Sequence, residues 1–499
     1  MAELHPNDHT PTQGVAADLP TSEIQTEDVP NHTLPPSHPL DTSDPNSEED
    51  IVIRRDPIED LWKQASDKLE SDYPNIFYKI HRFPASMRKS CEDSYIVPKM
   101  VAIGPFYRHL PELQEMEEVK KAAVYQFFRP QDPRGAYEKV VAVTVDARSC
   151  YDASALEGIT DADFTSMMFH DASFLLLTIL SVTYPERCAP PLRRRTGNST
   201  PVVLTDIFLL ENQIPWVVLE AIMTYKHVNL SLFMATMGMS IQSRLDREAR
   251  PLDGSYKPPH LLGLFHFYQS GSMITCSENS PASLLESESL ESLPENGLVR
   301  LKLEKSRMGV RELQSLPLGT SAIELAEINI KLTPSKTPEL KDIGLTKGPI
   351  FRKLFLPPLR LNESTACWLM NMAAFETYTT LPEDGSIGEY TVTSYLALFA
   401  TLMHREEDVH ELRAKHLIHG EFTNKQTLDF FKGRHANDLC PGHRFFSILR
   451  KLERYKHKCW VWIAIHKFVY NHFKTIAPLL AIIGVIVAVL KVLFSLKKH

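Results

Sequence analysis

The residues that could do chemistry in this 499-residue chain are few, and their spacing sets narrow limits. His404, His410, His416 and His419 crowd one helical stretch, and Glu407 with His410 forms an E-x-x-H step. A carboxylate-bridged metal site needs a second such step on a facing helix. None is found, so these histidines read as a solvated helix face and no metal is expected. Asp171 and Glu376 fall on otherwise apolar helix faces. Buried carboxylates with shifted pKa can work as acid and base, but ion pairing of buried carboxylates is the expectation preferred here. The sequence contains no G-x-S-x-G, no G-x-x-x-x-G-K-[ST], no G-x-G-x-x-G and no H-E-x-x-H. Without those signatures there is no nucleophile elbow, no phosphate cradle and no zinc protease helix. The seven cysteines (91, 150, 188, 276, 367, 440, 459) contain no C-x-x-C pair, so neither a zinc spacing nor a disulfide framework is indicated. No catalytic residue and no cofactor is expected.

The most unusual stretch is Asp206–Glu220, where Glu211, Asn212 and Gln213 interrupt an apolar run and Pro215 follows. Proline donates no backbone hydrogen bond and disfavours helix at Ile214. The segment therefore reads as two helices meeting at a break, with the Asn and Gln amides available to satisfy the backbone groups freed there. A structural role for the three polar residues is preferred to a ligand site, because buried polar groups must be paired in any case.

The elements that would hold these residues are mostly helical. Asp56-Pro57 with Glu59 makes a capping-box-like start, followed by Ile58, Leu61, Trp62, Ala65 and Leu69 at helical spacing. A second helix follows Pro111. A third opens at Thr160–Asp163 and carries Phe164, Met167, Met168, Phe174 and Leu175 to about Val182. Segments around 206–225, 363–380, 392–403 and 406–418 also read as helices. Val140–Val145 is the best strand candidate. The fold class expected is mainly α, a large helical body with minor β.

Composition sets the boundaries. Hydrophobic residues make up 43%, enough for a packed core, and the net charge of −8 argues against a nucleic-acid partner. Residues 1–50 hold eleven Asp or Glu, eight Pro and no Lys or Arg, so 1–55 reads as a disordered acidic tail. Seven serines fall between 271 and 293, so 271–319 reads as a linker or insertion between helical lobes at 56–270 and 320–440.

At the carboxyl end, residues 476–490 carry no charge, and with 491–496 they reach 21 residues. At about 1.5 Å per residue that length matches a bilayer core, so a single transmembrane helix at 476–496 is expected, with membrane lipid as partner. Residues 441–475 combine aromatic and basic side chains, suited to an anionic leaflet; a surface helix of the globular part is the alternative. The late span and the basic flank place the body in the cytosol. Sequons at Asn31, Asn198, Asn229 and Asn362 oppose that, though such triplets arise by chance.

Several motifs taken together resemble a plant-specific family, domain of unknown function 247, also called uncharacterised protein family 0481. They include Leu209–Pro215 (LLENQIP), Ile80–Pro84, Val101-Ala-Ile-Gly104-Pro105-Phe-Tyr107, Lys120, Arg148–Tyr151 and Asp171. In the second half come Ser321–Leu325, Asn371–Glu376, Thr393–Tyr395 and Asp408-Val409. The resemblance covers about 76–499. Its family-motif residues here are Gly104, Pro105, Asp171, Glu211, Asn212, Gln213, Pro215, Asn371 and Glu376. One departure is Asn329 where the family has glycine; if that position needs a positive φ, Asn is the best substitute. The resemblance implies no established enzymatic activity. Some grass relatives look like pollen-side self-incompatibility components. The reading that results is a membrane-anchored, non-catalytic recognition or scaffold protein with unidentified protein partners; the alternatives are a pollen-side recognition role or a hydrolase or transferase using the embedded carboxylates.

Overall fold

A computed structural model describes residues 57–72, 76–187, 199–242, 249–271, 321–346, 352–379, 390–433, 441–456 and 472–496. The acidic tail, Asp56, almost all of the 271–319 segment and residues 457–471 of the basic aromatic stretch lie outside the described residues. The chain divides into two units, Met1–Lys63 and Gln64–His499. In the first, the described residues begin helix α1 (Pro57–Asp72), with Ile58, Leu61 and Trp62 exposed.

The second unit is mainly helical. Its central element is α2 (Asp161–Thr183). Thr160 caps it: the hydroxyl accepts the Asp163 N–H at 3.2 Å and donates to the Asp163 carboxylate at 2.7 Å. Phe174, Leu175, Leu176 and Leu177 are four consecutive buried residues, and at 3.6 residues per turn they point to every side of the helix, which makes it a core element rather than an amphipathic one. It packs against Glu115–Phe128, Arg134–Ala142, Trp216–Met223 and Leu230–Gln242. Among the described residues it is the one helix long and apolar enough to cross a bilayer by length and composition, but 78% of its apolar window is buried inside the protein.

A second buried helix, α3 (Glu363–Thr379), is inaccessible along the whole run Thr365–Glu376. It packs on Thr200–Asp206, Leu261–Ser270 and Thr391–Leu402. Residues from both sides of the 271–319 segment thus enter one hydrophobic core. Two of the four sequon asparagines cap helices. Asn362 Oδ1 accepts the Thr365 N–H at 2.9 Å, and Asn229 Oδ1 accepts the Leu232 N–H at 3.0 Å.

The β structure falls where the sequence did not suggest it. Strands β1 (Ile330–Pro334), β2 (Gly344–Thr346) and β3 (Arg352–Leu356) form a sheet of order β1-β3-β2. β1 and β3 run parallel with Leu332 opposite Leu354, and β2 is antiparallel to β3. β4 (Leu359–Leu361) pairs in parallel with β5 (Ile418–Gly420). Asn329, which leads into β1, has φ 60°, the left-handed conformation that its glycine counterpart would adopt freely.

Two expectations need correction. Val140–Val145 is not a strand but the junction of helices Arg134–Ala142 and Thr144–Ser149. Ala136, Val140, Thr144 and Ala147 are buried while Val141 and Val145 are exposed, a helical spacing that overrides the β preference of valine. The helix expected at 406–418 ends at Ala414, and His416 turns the chain with φ 58° into β5. The two helices expected to meet at a break around Glu211–Pro215 are Thr200–Asp206 and Trp216–Met223.

At the carboxyl end, helix 443–456 buries Phe445, Ile448, Leu449 and Leu452 in the core. Phe473–Leu496 is a 24-residue helix. Its described side chains, Pro478 and Ala481–Lys491, are exposed, and the continuous portion 481–491 alone is too short to count as a span.

The helical register of 134–149 can be tested directly. Val145→Lys should change stability by no more than about 0.5 kcal/mol. Ala147→Lys buries an unpaired charge and should cost about 3–5 kcal/mol in urea denaturation. Equal effects would indicate an extended chain that exposes both residues.

Candidate functional site

The broken segment 207–215 lies in the middle of this apolar core, alongside a second irregular segment, 99–104. Turn-type backbone bonds satisfy the N–H groups of Ile207, Phe208, Leu209 and Asn212, and side chains supply many of the remaining hydrogen bonds. Asp206 accepts three consecutive N–H groups: Lys99 at 3.0 Å, Met100 at 2.7 Å and Val101 at 2.9 Å. Burial pushes its carboxyl up to about 6, against the pull of those three donors. Asn212 Oδ1 accepts the Ile103 N–H at 2.6 Å, and its Nδ2 donates to the carbonyls of Val101 and Asp206, both at 2.9 Å. Gln213 Nε2 donates to Ile207 O at 2.7 Å and Leu209 O at 2.8 Å, and its Oε1 accepts the Leu262 N–H at 3.0 Å. From the second half of the chain, Asn371 Oδ1 accepts the Leu210 N–H at 2.8 Å, and its Nδ2 donates to Tyr95 O and Cys367 O, both at 2.9 Å. Pro215 then stands as N-cap of Trp216–Met223.

Gly104 closes this array. Its φ is 76°, and a Cβ there would lie 2.7 Å from Gln213 O and 2.9 Å from the Tyr151 hydroxyl, so only glycine fits. Its N–H donates to Asp171 Oδ2 at 2.7 Å. Pro105 is buried next to it. Lys120, itself buried, has Nζ 2.7 Å from Asp171 Oδ1, 2.6 Å from Glu117 Oε1 and 2.5 Å from Ala102 O. Burial alone would lower the Lys120 pKa, but the Asp171 and Glu117 charges outweigh it and raise it.

Glu211 is buried, but two of its partners reach the surface. Its carboxylate accepts the Phe83 N–H at 2.7 Å and the Tyr107 hydroxyl at 2.6 Å, pairs with Arg88, and meets Arg82 at 3.4 Å. Burial and the bond to Glu211 push the Tyr107 phenol up. Both guanidinium groups are about half exposed, and Arg82 lies 3.8 Å over the Phe106 ring.

Glu376 serves a different end of α3. It accepts the Val392 N–H at 2.8 Å, and the Thr393 N–H and hydroxyl at 2.9 and 2.8 Å. It thereby caps Thr391–Leu402 from a neighbouring helix. His266 Nε2 lies 2.8 Å from Glu376 Oε1 and 3.3 Å from Ser270 Oγ. Both contacts use the same ring nitrogen, so the imidazole cannot relay a proton from serine to carboxylate as a catalytic triad does.

The three carboxylates singled out in sequence, Asp171, Glu211 and Glu376, share no partner among the described residues. No group of three or more His, Cys, Asp or Glu is placed to hold a metal ion there. His419 Nε2 bonds the His416 carbonyl at 3.0 Å. Burial pushes the Cys367 thiol up, and the Cys150 thiol to about 11, which leaves neither as an activated nucleophile. Sequence reasoning did not single out Asp206 or Arg88, whose contacts are 105 or more residues away in the chain, or His266. No local pattern marks any of them.

A family described as "Plant protein of unknown function", DUF247, matches residues 80–487, the span that carries every one of these contacts. The chain belongs to this family. Among curated relatives, UPF0481 protein At3g47200 of Arabidopsis thaliana is 27% identical over 370 residues, 71% of each chain. Putative UPF0481 protein At3g02645, also from Arabidopsis thaliana, is 31% identical over 163 residues, 32% of this chain and 29% of the relative. No solved structure matches.

Two outcomes follow from the geometry. Asn212→Ala strands one N–H and two carbonyls in the core, so it should cost at least about 3 kcal/mol in chemical denaturation. His260 caps Leu261–Ser270 by accepting the Gly263 N–H at 3.1 Å, is fully buried, and is lowered by burial to about 3. The unfolded chain protonates His260 near 6.5, so stability falls as pH drops through the window from 6.5 to about 3. His260→Asn keeps a cap acceptor and removes the titration. Its loss of stability between pH 7 and pH 5 should be smaller than that of the unaltered chain by about 2 kcal/mol. An unchanged loss would mean that the buried ring carries its proton.

Proposed function

We propose that this protein is a membrane-anchored, non-catalytic recognition or scaffold protein. The observation that carries the reading is the carboxyl-terminal helix Phe473–Leu496. Ile482, Ile483, Val485, Ile486, Val487, Val489 and Leu490 in it are all exposed. An unbroken apolar surface on all sides of a helix is far more than water tolerates on a folded body. A helix of this length is about 36 Å long at about 1.5 Å per residue, enough for a bilayer core. The absence of a reaction is a separate inference, and the buried carboxylates support it. Asp171, Glu211 and Glu376 spend their lone pairs on the protein's own N–H, O–H and cationic groups, which leaves them little to offer a substrate. The body is assigned to the cytosol.

The test is fractionation of plant cells. The full chain should stay in the membrane pellet after alkaline carbonate, and a chain ending at residue 472 should move to the supernatant. Recovery of the full chain in the soluble fraction would defeat the anchor. A glycosidase-sensitive mass at Asn229 or Asn362 would place the body across the membrane instead.

A further inference from the structure

We propose that helix 443–456 is a docking face for anionic lipid headgroups, which holds the body against the bilayer through Arg450, Lys451, Arg454 and Lys456. The proposal rests on the membrane reading above and specifies the lipid chemistry.

The helix has two unlike sides. Phe445, Ile448, Leu449 and Leu452 are buried at the i, i+3, i+4, i+7 spacing of a helix seated on a core. The residues it exposes are His443, Arg450, Lys451, Arg454 and Lys456, with no acid among them; Glu453, its one carboxylate, is half-buried. The seating is firm. Arg444 Nη1 donates to Lys341 O at 3.2 Å, and the Arg352 guanidinium lies 4.3 Å from the Tyr455 ring centroid. The basic face is therefore a fixed part of the body.

Several exposed cations elsewhere on this chain pair with carboxylates. Lys121 pairs with Glu118 at 2.7 Å, Arg134 with Asp132 at 2.6 Å and Lys415 with Glu411 at 3.3 Å. Arg450, Lys451, Arg454 and Lys456 make no ion pair among the described residues. Like charges one turn apart on a helix repel, and Arg450 and Arg454 are such a pair. On a chain of net charge −8, a patch of this sign calls for an external counter-charge.

Continuity with the apolar helix selects lipid as that counter-charge. Residues 457–472 alone join the basic helix to Phe473, and fully extended they span at most about 55 Å. If Phe473–Leu496 is in a bilayer, the basic face cannot leave its neighbourhood, and binding becomes intramolecular in effect. Each Lys or Arg near an anionic leaflet then strengthens the attachment about fivefold, within a screening length of about 8 Å at physiological salt.

The experiment uses the full chain in lipid nanodiscs of phosphatidylcholine alone or with 30% phosphatidylserine. Amine acetylation of individual lysines is read by mass spectrometry. Lys451 and Lys456 should react about tenfold more slowly in the phosphatidylserine discs, and 0.5 M salt should restore the rate. Lys121 and Lys415, both exposed, should react equally in the two discs. The double substitution Arg450→Glu with Arg454→Glu should abolish the difference while the chain stays inserted. Equal rates at Lys451 and Lys456 in both discs, with the chain inserted in each, would overturn the docking face and leave the anchor intact. Failure of the chain to enter either disc would overturn the anchor, and the docking face with it.

Discussion

The structure depends on one requirement: two irregular stretches of backbone, 101–104 and 207–213, are buried in a core made almost wholly of apolar helices. Water cannot reach their N–H and C=O groups, and an unpaired buried group costs about 1–3 kcal/mol. Side chains meet the requirement. Asp206 and Asn212 bridge to 99–103, Gln213 turns back on its own segment, Asp171 holds Gly104, and Asn371 reaches in from the second half of the chain. The LLENQIP stretch is thus a set of side chains substituting for a missing strand or helix. The positive φ of Gly104 follows from the same crowding, since the chain must pass within contact of Gln213 O and Tyr151.

Buried charge is the second consequence. Asp171 is compensated by Lys120, Glu211 by Arg88 and Arg82, and Glu376 by helix N–H groups and His266. Such arrangements add little net stability over an apolar core of equal volume, yet removing one partner strands the other. What they secure here is position. Each carboxylate ties an element remote in sequence to a backbone site that apolar packing alone would leave free to slide.

Much of this was legible in the sequence wherever the cause is local. Thr160 and Asp163 mark the start of the central helix because a cap acts over three residues. Pro215 after Glu-Asn-Gln marks the break because proline acts on its immediate neighbour. At Asn329 the hint of a left-handed turn comes from the glycine its relatives carry there, for which Asn is the best substitute. The failures are of another kind. Four valines between 140 and 145 suggest a strand, but burial of Ala136, Val140, Thr144 and Ala147 decides for helix, and burial depends on the rest of the fold. The strands of the second half are short, and β1 and β3 are parallel partners, so no hairpin turn announces them. The partners of Asp206 and Glu211 lie 104 or more residues away, and nothing near either carboxylate names them.

The bond from Leu210 to Asn371 spans 161 residues of chain, and the one from Asn371 to Tyr95 spans 276. On a ribosome these distances become times. At about 5–20 residues per second, the Leu210 N–H waits roughly 8–32 s for Asn371 to be made, and the Tyr95 carbonyl roughly 14–55 s. Through that interval the amino-terminal part of the core carries open hydrogen-bonding groups beside exposed apolar side chains. Its final collapse belongs after synthesis of the second half, and a nascent chain in this state is a natural client for chaperones that shield apolar surface.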